Sequence, residues 1–221
     1  MTPAYEGMRA GYGKMWSAAR IRPERRQAAF LVAQAALRNR GRYAQAAAVA
    51  PGMPWAWVAA VHSLEASASW TAHLHNGDPL TARTVHVPAG RPAAGSPPFT
   101  WEASAADALL LKGLDRVQSW EVERQLYELE RYNGFGYIAR RVNSPYLWSF
   151  TDQYQSGKYV ADGRFDAAAV SKQCGAVAIL KAVGELEAAG EHDITIDRKA
   201  MPAPLPAAPG LMRRVLTWIG F

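Results

Sequence analysis

The sequence predicts a mainly α-helical domain with a small β-hairpin or polar flap directly after its central helix. The first observation is a largely apolar stretch, residues 55–70, in which Trp57, Val61 and Leu64 recur at helical spacing. The second is the polar, turn-rich stretch 71–91 that follows it. The third is a series of amphipathic or alanine-rich segments on both sides, which together indicate one helical body.

The segments before the central helix predict, in order, an arm or short helix over 1–22, an amphipathic helix over 24–38 and a short alanine-rich helix over 43–50. Pro23 suits the first turn of the second of these. Pro54 suits the start of the central helix, because the missing N–H of proline costs nothing there. Phe30, Ala33 and Leu37 share one face of the 24–38 helix, so we expect that face to point inward.

The segments after the flap predict four more helices, over about 101–112, 120–131, 145–148 and 166–190. Thr100, Ser144 and Asp166 are the residue types that cap helix N-termini, and we expect them to do so here. The glycines in residues 132–137 end the second of these helices and separate it from the third. Residues 157–163 predict a turn.

Composition indicates one globular domain with appendages. A chain of 221 residues can bury a sizeable core, and its apolar content of 49% argues against disorder. We assign 1–190 to this domain, 191–210 to a proline-rich linker and 211–221 to an apolar, basic tail. The tail suits contact with a membrane or envelope lipid, folding back on the body, or packing in an oligomer.

The net charge of +6 favours polyanionic partners, but it does not choose among cell walls, anionic lipids and nucleic acids. Cys174 is the single cysteine, so no intramolecular disulfide is expected. The N-terminus has no apolar export segment, and no apolar run approaches the length of a membrane span. We therefore expect synthesis in the cytoplasm without a signal peptide.

Glu65 is the candidate catalytic acid. It is the only acid between Glu24 and Asp78, and it enters the interior on an otherwise apolar helix. Loss of hydration disfavours the charged carboxylate and raises its pKa, so such a group can deliver a proton near neutral pH. The alternative is a buried glutamate that pairs with an arginine for structural reasons.

The flap adds a second candidate acid. Asp78 lies in a run of turn-forming residues, and Thr81–Pro88 alternates polar and apolar residues as a short exposed strand does. Cleavage of a glycosidic bond uses groups on opposite walls of a cleft, so Asp78 could orient water or steady positive charge, while Thr84 could hold that water. Alternatively, Asp78 only caps its Asp-Pro turn.

Five runs form a longer pattern: VHSLEAS at 61–67, HLHNGDPLTART at 73–84, YNGFGY at 132–137, NSPYLWS at 143–149 and GKYVADG at 157–163. Together they resemble a family of phage and prophage lysozyme-like proteins, distantly similar to goose-type lysozymes and soluble lytic transglycosylases. The resemblance spans roughly residues 10–185. It implies a lysozyme-like helical muramidase that cleaves the MurNAc–GlcNAc backbone of peptidoglycan by hydrolysis or lytic transglycosylation, with Glu65 as general acid and no cofactor.

The same resemblance implies an aromatic-Asn segment that lines the sugar cleft, at Tyr132, Asn133 and Tyr137. The other candidate substrate-binding residues are His62, His75, Tyr146 and Trp148. One departure is Ala66, where the family usually has serine, so a hydroxyl beside the acid is missing. We expect such an endolysin-like enzyme to reach the cell wall or periplasm after release by a pore-forming export partner.

Three alternatives stay open. Ala66 makes a non-catalytic peptidoglycan-binding protein conceivable. His62, His73, His75 and His86 lie close together in sequence, which raises the hypothesis of a metal site, although the chain lacks His-Glu-x-x-His and a lysozyme-like acid needs no metal. A nucleic-acid binder is the least favoured class, since the basic residues are scattered and no helix presents a base-reading pattern; we expect no nucleic-acid partner.

Overall fold

A computed structural model describes residues 2–161 and 163–190 of the chain. Its α-helices are α1 (Tyr5–Ala18), α2 (Pro23–Arg38), α3 (Arg40–Ala47), α4 (Trp55–Ala66), α5 (Trp101–Leu111), α6 (Val122–Asn133), α7 (Pro145–Trp148) and α8 (Ala176–Ala188). Short 3₁₀ helices span Leu114–Arg116 and Phe135–Arg140, and two strands, β1 (Lys158–Ala161) and β2 (Arg164–Asp166), form an antiparallel sheet. The prediction of a mainly α fold is confirmed. The predicted linker 191–210 and tail 211–221 lie outside the described residues.

Helix α4 is the centre of the core. Trp57 and Val61 are fully buried, and nearly every residue between them is buried as well. A helix that is apolar on all sides is stable only when other elements cover it. Helices α2, α3 and α8 provide that cover.

The remaining helices pack in pairs around this centre. Helix α2 lies against α8, α3 lies against α5, and α1 lies against α6. The N-terminal arm is therefore a helix laid on the body, with Tyr12 buried in the interface. In α2, Ala33 is buried while Phe30 and Leu37 are half-buried against the core, which agrees with the predicted inward face.

Of the three predicted caps, Asp166 is not a helix cap, and Ser144 is an N-cap by position only. Asp166 belongs to β2, where its carboxylate accepts hydrogen bonds from the backbone N–H groups of Ala168 and Ala169, so it closes a turn instead. The last helix begins ten residues later, at Ala176. Ser144 precedes α7, but its hydroxyl makes no capping hydrogen bond. Thr100, by contrast, accepts the N–H of Ala103 and caps α5 as predicted.

The strand predicted at 81–88 is not formed. We call residues 67–99 the flap; this segment is irregular, with one isolated bridge between Ala72 and Pro79. Its backbone groups are used by turns and by side chains, which leaves no continuous ladder for a hairpin. The two-stranded sheet lies further along the chain and includes part of the segment 157–163 that was predicted to be a turn. Tyr159 of β1 pairs there with Phe165 of β2.

Candidate active site

Glu65 lies in the last turn of α4. The helix ends there because Ser67 and Ala68 adopt the left-handed conformation, and the Ala68 N–H returns to the His62 carbonyl at 3.0 Å. This termination turns the chain into the flap two residues after the acid. Glu65 itself is half-buried, so it is neither sealed in the core nor fully hydrated.

The Glu65 carboxyl is held by residues from other helices. The Tyr146 hydroxyl, from α7, donates a 2.9 Å hydrogen bond to Glu65 Oε1. Burial raises the pKa of Glu65 to about 7, against the Tyr146 hydrogen bond and the positive charge of Lys112, which both lower it. A carboxyl with this pKa is present in both protonation states near neutral pH, as a group that gives and takes back a proton must be.

The alternative of a structural glutamate–arginine pair is not what the structure contains. Among the described residues, no arginine forms an ion pair with Glu65. The nearby cation is Lys112, which does not reach the 4.0 Å of a contact ion pair. Glu65 is therefore tied to a neutral hydroxyl rather than neutralised by a contact cation.

The flap touches the acid through its backbone. Gly77 has a φ of +77°, and a Cβ at that position would lie 3.3 Å from the Glu65 carbonyl oxygen. Tyr132, at the end of α6, donates its hydroxyl to the Leu74 carbonyl at 3.3 Å. The first turn of the flap is thus fixed between the end of α4 and the end of α6.

Asp78 organises the flap. It is 2% exposed, and its carboxylate accepts hydrogen bonds from the Val85 and His86 backbone N–H groups, each at 3.0 Å, and from His86 Nδ1 at 2.7 Å. Burial opposes ionisation here, but these hydrogen bonds outweigh it and lower the pKa of Asp78. These hydrogen bonds hold the loop together, and the predicted role of Asp78 in orienting water stays a prediction.

Thr84 has a similar local role. Its hydroxyl donates to the Pro88 carbonyl and accepts the Arg91 N–H at 2.9 Å, and its own N–H donates to the Arg91 carbonyl. Both hydrogen-bonding functions of the hydroxyl are used in closing the turn between Thr84 and Arg91. The hydrogen bonds of this hydroxyl stabilise the flap, and its predicted role in holding a catalytic water stays a prediction.

His62 is a core residue rather than a substrate-binding one. It is fully buried; its Nε2 donates to the Ser69 carbonyl at 2.9 Å and its Nδ1 accepts from the Tyr43 hydroxyl at 3.0 Å. Trp70 and Trp101 pack on its ring. Burial lowers the pKa of His62 to about 4, so it is neutral at physiological pH.

His75 anchors the flap to α5. Its Nε2 lies 2.7 Å from Asp107 Oδ2, and the same carboxylate takes two hydrogen bonds from the Arg91 guanidinium, at 2.8 and 2.6 Å. Burial lowers the pKa of His75, although the hydrogen bond to Asp107 and the negative charge of Asp107 raise it. The residue is 5% exposed, so it supports the flap from inside and does not reach substrate.

The predicted aromatic wall is only partly at the site. Tyr132 and Tyr146 adjoin Glu65, but both are almost fully buried, so they lie on the core side of the acid. Tyr137 accepts the Tyr159 N–H and packs on the sheet, and Trp148 is 2% exposed in the core. Asn133, the last residue of α6, is half-buried and next to Tyr132.

The histidines do not come together as a metal site. His73 bonds Ser104 Oγ and the Ala82 carbonyl, and His86 bonds Asp78, so each histidine of this region has its own partner. Throughout 2–161 and 163–190, no group of three or more histidine, cysteine, aspartate or glutamate side chains is arranged to hold a metal ion.

Sequence reasoning missed three charged residues: Lys112, Asp107 and Glu130. The charge of Lys112 lowers the pKa of Glu65, Asp107 holds the flap, and Glu130 is a further buried carboxyl, 3% exposed. Glu130 is detectable from the sequence, because it is an acid on a predicted helix with the apolar residues Leu126 and Leu129 beside it. The other two could not be found this way, because their partners lie far away in sequence.

A surface cavity of about 830 Å³ lies away from Glu65, against α1 and α6, and its charged lining residues are Glu6, Arg9, Lys14 and Glu123. It contains none of the predicted site residues. Within the described part of the chain, no helix is both long and apolar enough to cross a bilayer.

Comparisons with known proteins returned nothing: no protein-family model matches the chain, and neither a curated protein nor a solved structure matches it.

Proposed function

We propose that this chain is a lysozyme-like muramidase that cleaves the MurNAc–GlcNAc backbone of peptidoglycan, with Glu65 as the general acid. The observation that carries the proposal is a single carboxyl at the end of an apolar helix, with a pKa of about 7 and a hydrogen bond from Tyr146. Protonation of a glycosidic oxygen requires an acid of this kind. The mainly helical body and the polar flap after the acid agree with the lysozyme-like pattern in the sequence.

In the first step, the Glu65 proton passes to the glycosidic oxygen while the bond from that oxygen to C1 of MurNAc breaks. Positive charge then develops on C1 and the ring oxygen. The Glu65 carboxylate left behind takes a proton from the hydroxyl that attacks C1, which restores the acid. Protons and electron pairs balance with one carboxyl acting in both directions.

The hydrogen bonds of Asp78 favour a mechanism that needs one acid. The Asp78 carboxylate accepts hydrogen bonds from the Val85 and His86 N–H groups and from the His86 ring, and these bonds compete with any water that it would activate. Attack by the C6 hydroxyl of the same MurNAc residue needs no such water and forms a 1,6-anhydro ring. We therefore favour lytic transglycosylation over hydrolysis as the outcome.

The test uses purified sacculi. Wild-type protein is expected to clear them, and Glu65→Gln, which keeps the size and loses the proton, is expected to abolish clearing. Glu187→Gln is the matched control, because Glu187 forms only an exposed ion pair with Arg40. Mass spectrometry of the released muropeptides then separates 1,6-anhydro ends from reducing ends. Full clearing by Glu65→Gln would overturn the assignment of the acid.

A second candidate function is peptidoglycan binding without cleavage. Two observations favour it: Asp78 is committed to the flap, and Ala66 carries no hydroxyl beside the acid. This function predicts retention of the wild-type protein on insoluble peptidoglycan with no release of soluble fragments. Release that depends on Glu65 excludes it.

A further inference from the structure

A groove with uncharged walls lies between α3 and the start of α4; we call it the α3–α4 groove. Its volume is about 340 Å³, and its lining residues are Ala44, Ala47, Ala48, Ala50, Pro51, Gly52, Met53, Pro54 and Trp55. Met53 is buried at the groove, whereas Trp55 is only half-buried. Since ligand sites in proteins measure about 300–1,000 Å³, this groove has room for one or two large side chains.

The groove is open because its walls are small or rigid. The alanines of α3 carry no side chain long enough to fill the space. The two prolines restrict φ in the segment that joins the helices. Gly52 has a φ of +74°, and the Trp120 ring lies 3.5 Å from the place that a Cβ would occupy there. The groove is therefore part of the folded structure and does not have to form on binding.

The end of the described chain lies beside the same groove. Arg40, the first residue of α3, donates a 3.2 Å hydrogen bond to Glu187 Oε1 in the last turn of α8. The Arg40 guanidinium carbon lies 5.5 Å from the centre of the Trp55 ring. Gly190, the last described residue, follows Glu187 by three positions. The residues after 190 therefore begin next to the wall that Trp55 forms.

The sequence that follows contains a segment of matching character. Residues 211–221, LMRRVLTWIGF, include six large apolar side chains: Leu211, Val215, Leu216, Trp218, Ile219 and Phe221. Residues 191–210 lie between this segment and the body, and at ~3.3 Å per residue they span up to about 60 Å, which is ample for a groove next to Gly190. Because the segment is tethered, its effective concentration at the groove is high, and a small apolar contact is enough to hold it.

The larger cavity against α1 and α6 does not suit this segment. Its lining includes the charged residues Glu6, Arg9, Lys14 and Glu123. An apolar side chain placed there would take water away from these charges, which is unfavourable. The α3–α4 groove has no charged side chain in its lining, so an apolar occupant displaces water only from apolar side chains and backbone.

We propose that the α3–α4 groove binds residues 211–221 of the same chain, with Trp218 as the side chain that enters it. Trp218 has the largest apolar surface of the segment, and an indole ring fits the volume of the groove. Arg213 and Arg214 remain in solvent, because the groove offers them no partner. The proposal does not depend on the proposed enzymatic function, since none of the groove residues belongs to the candidate active site.

The experiment places a nitroxide spin label on the full-length chain at Gly220→Cys and records the ¹³C-methyl NMR signals of its methionines. Cys174 is buried, so the label reacts at the new cysteine. The Met53 signal is assigned by its loss in Met53→Leu. We expect the label to broaden the Met53 signal beyond detection, and chemical reduction of the nitroxide to restore it. Full Met53 intensity with the active label would overturn the proposal.

A matched pair of variants tests whether the groove is responsible. Ala48→Glu places a charged side chain in the groove at an exposed position, so we expect the Met53 signal to return despite the label. Ala139→Glu makes the same change at an exposed position outside the groove and should leave the signal broadened. Broadening that persists in Ala48→Glu would contradict docking in the groove.

Two other occupants are tested alongside. In a mixture of ¹³C-labelled chains without the nitroxide and unlabelled chains with it, broadening of Met53 would assign the groove to a second copy and overturn intrachain docking. Sedimentation with vesicles of anionic phospholipid tests a lipid surface. Weaker vesicle binding by the wild type than by Ala48→Glu supports the proposal, because the blocked groove releases the segment. Binding that is lost in Trp218→Ala but unchanged in Ala48→Glu would assign the segment to lipid and overturn it.

Discussion

The Tyr146 hydroxyl donates a 2.9 Å hydrogen bond to Glu65 Oε1, which joins a buried tyrosine of α7 to the acid at the end of α4. Tyr146 is 1% exposed, so the donor of this hydrogen bond is a core residue. A donor of this kind stabilises the carboxylate more than the protonated acid. The packing of α7 therefore orients Glu65 and lowers its pKa against the larger effect of burial.

Removal of this hydroxyl is expected to raise the pKa of Glu65 above its value of about 7. In Tyr146→Phe we expect a rise of about one unit, since a hydrogen bond to a charged group contributes about 1.5 kcal/mol or more. The alkaline limb of sacculus clearing should move to higher pH by the same amount. Tyr154→Phe, which loses a hydroxyl bonded to the Gly157 carbonyl, is the control and should leave the limb in place. An unshifted limb in Tyr146→Phe would show that this bond does not tune the acid.

The contact between Gly77 and the Glu65 carbonyl can be tested against a second glycine of the flap. Gly77 and Gly90 have φ values of +77° and +75°, but only at Gly77 would a Cβ meet a neighbour within 4 Å. Alanine at either site costs about 1 kcal/mol of backbone strain. We expect Gly77→Ala to lower the free energy of unfolding further than Gly90→Ala in urea titrations, and to slow sacculus clearing. Equal losses in the two variants would mean that the flap adjusts without cost.

Glu130 makes the stability of the fold depend on pH. Burial raises its pKa from 4.5 to about 8, against the Ser144 hydroxyl, which lowers it. The raised value means that unfolding releases a proton at pH values between these two. The Glu130 contribution is fully present below pH 4.5 and is lost as the pH rises to about 8, at a rate of at most about 1.4 kcal/mol per pH unit.

In Glu130→Gln this loss should disappear, so the free energy of unfolding should fall less steeply between pH 4.5 and 8 than in the wild type. A slope from Glu65 is expected to remain, because its pKa is raised in the same direction. Urea unfolding at a series of pH values measures both. Glu128→Gln is the contrast: Glu128 pairs with Arg124 and Arg131, so its loss should destabilise the protein at every pH in this range. Identical slopes for Glu130→Gln and wild type would contradict the account.

Asp107 is expected to be the main anchor of the flap. Its carboxylate accepts from His75, from the Arg91 guanidinium and from the Ala93 N–H. Asp107→Asn leaves the Arg91 charge without its partner, so we expect amide hydrogen exchange in residues 71–93 to accelerate about tenfold or more. Asp115→Asn, at an exposed position, should leave exchange in the flap unchanged. Unaltered flap exchange in Asp107→Asn would place the anchor elsewhere.

Helical periodicity, an apolar central segment and an isolated acid are local properties, and they were enough to predict a mainly α fold, a central helix within residues 55–70 and Glu65 near its end. The spacing of apolar residues also predicted α2, whereas the last helix begins ten residues later than its spacing predicted. The predicted strand at 81–88 failed because side chains such as Asp78 and Thr84 bind the backbone groups that a strand would have used. The periodicity of apolar residues carries no information about this competition for backbone hydrogen bonds.

The sequence by itself determined that the central helix is buried and that Glu65 stands near its end, but it did not show that Glu130 is buried too. Only the tertiary structure decided which groups meet Glu65: Tyr146 and Lys112 approach it from distant parts of the chain, while Asp78, Thr84 and His62 turn to partners of their own. The physical reason is that burial follows from the composition of a segment, whereas a hydrogen bond or a charge interaction depends on how separate helices pack. The proton affinity of Glu65 is therefore a property of the assembled core and not of its own helix.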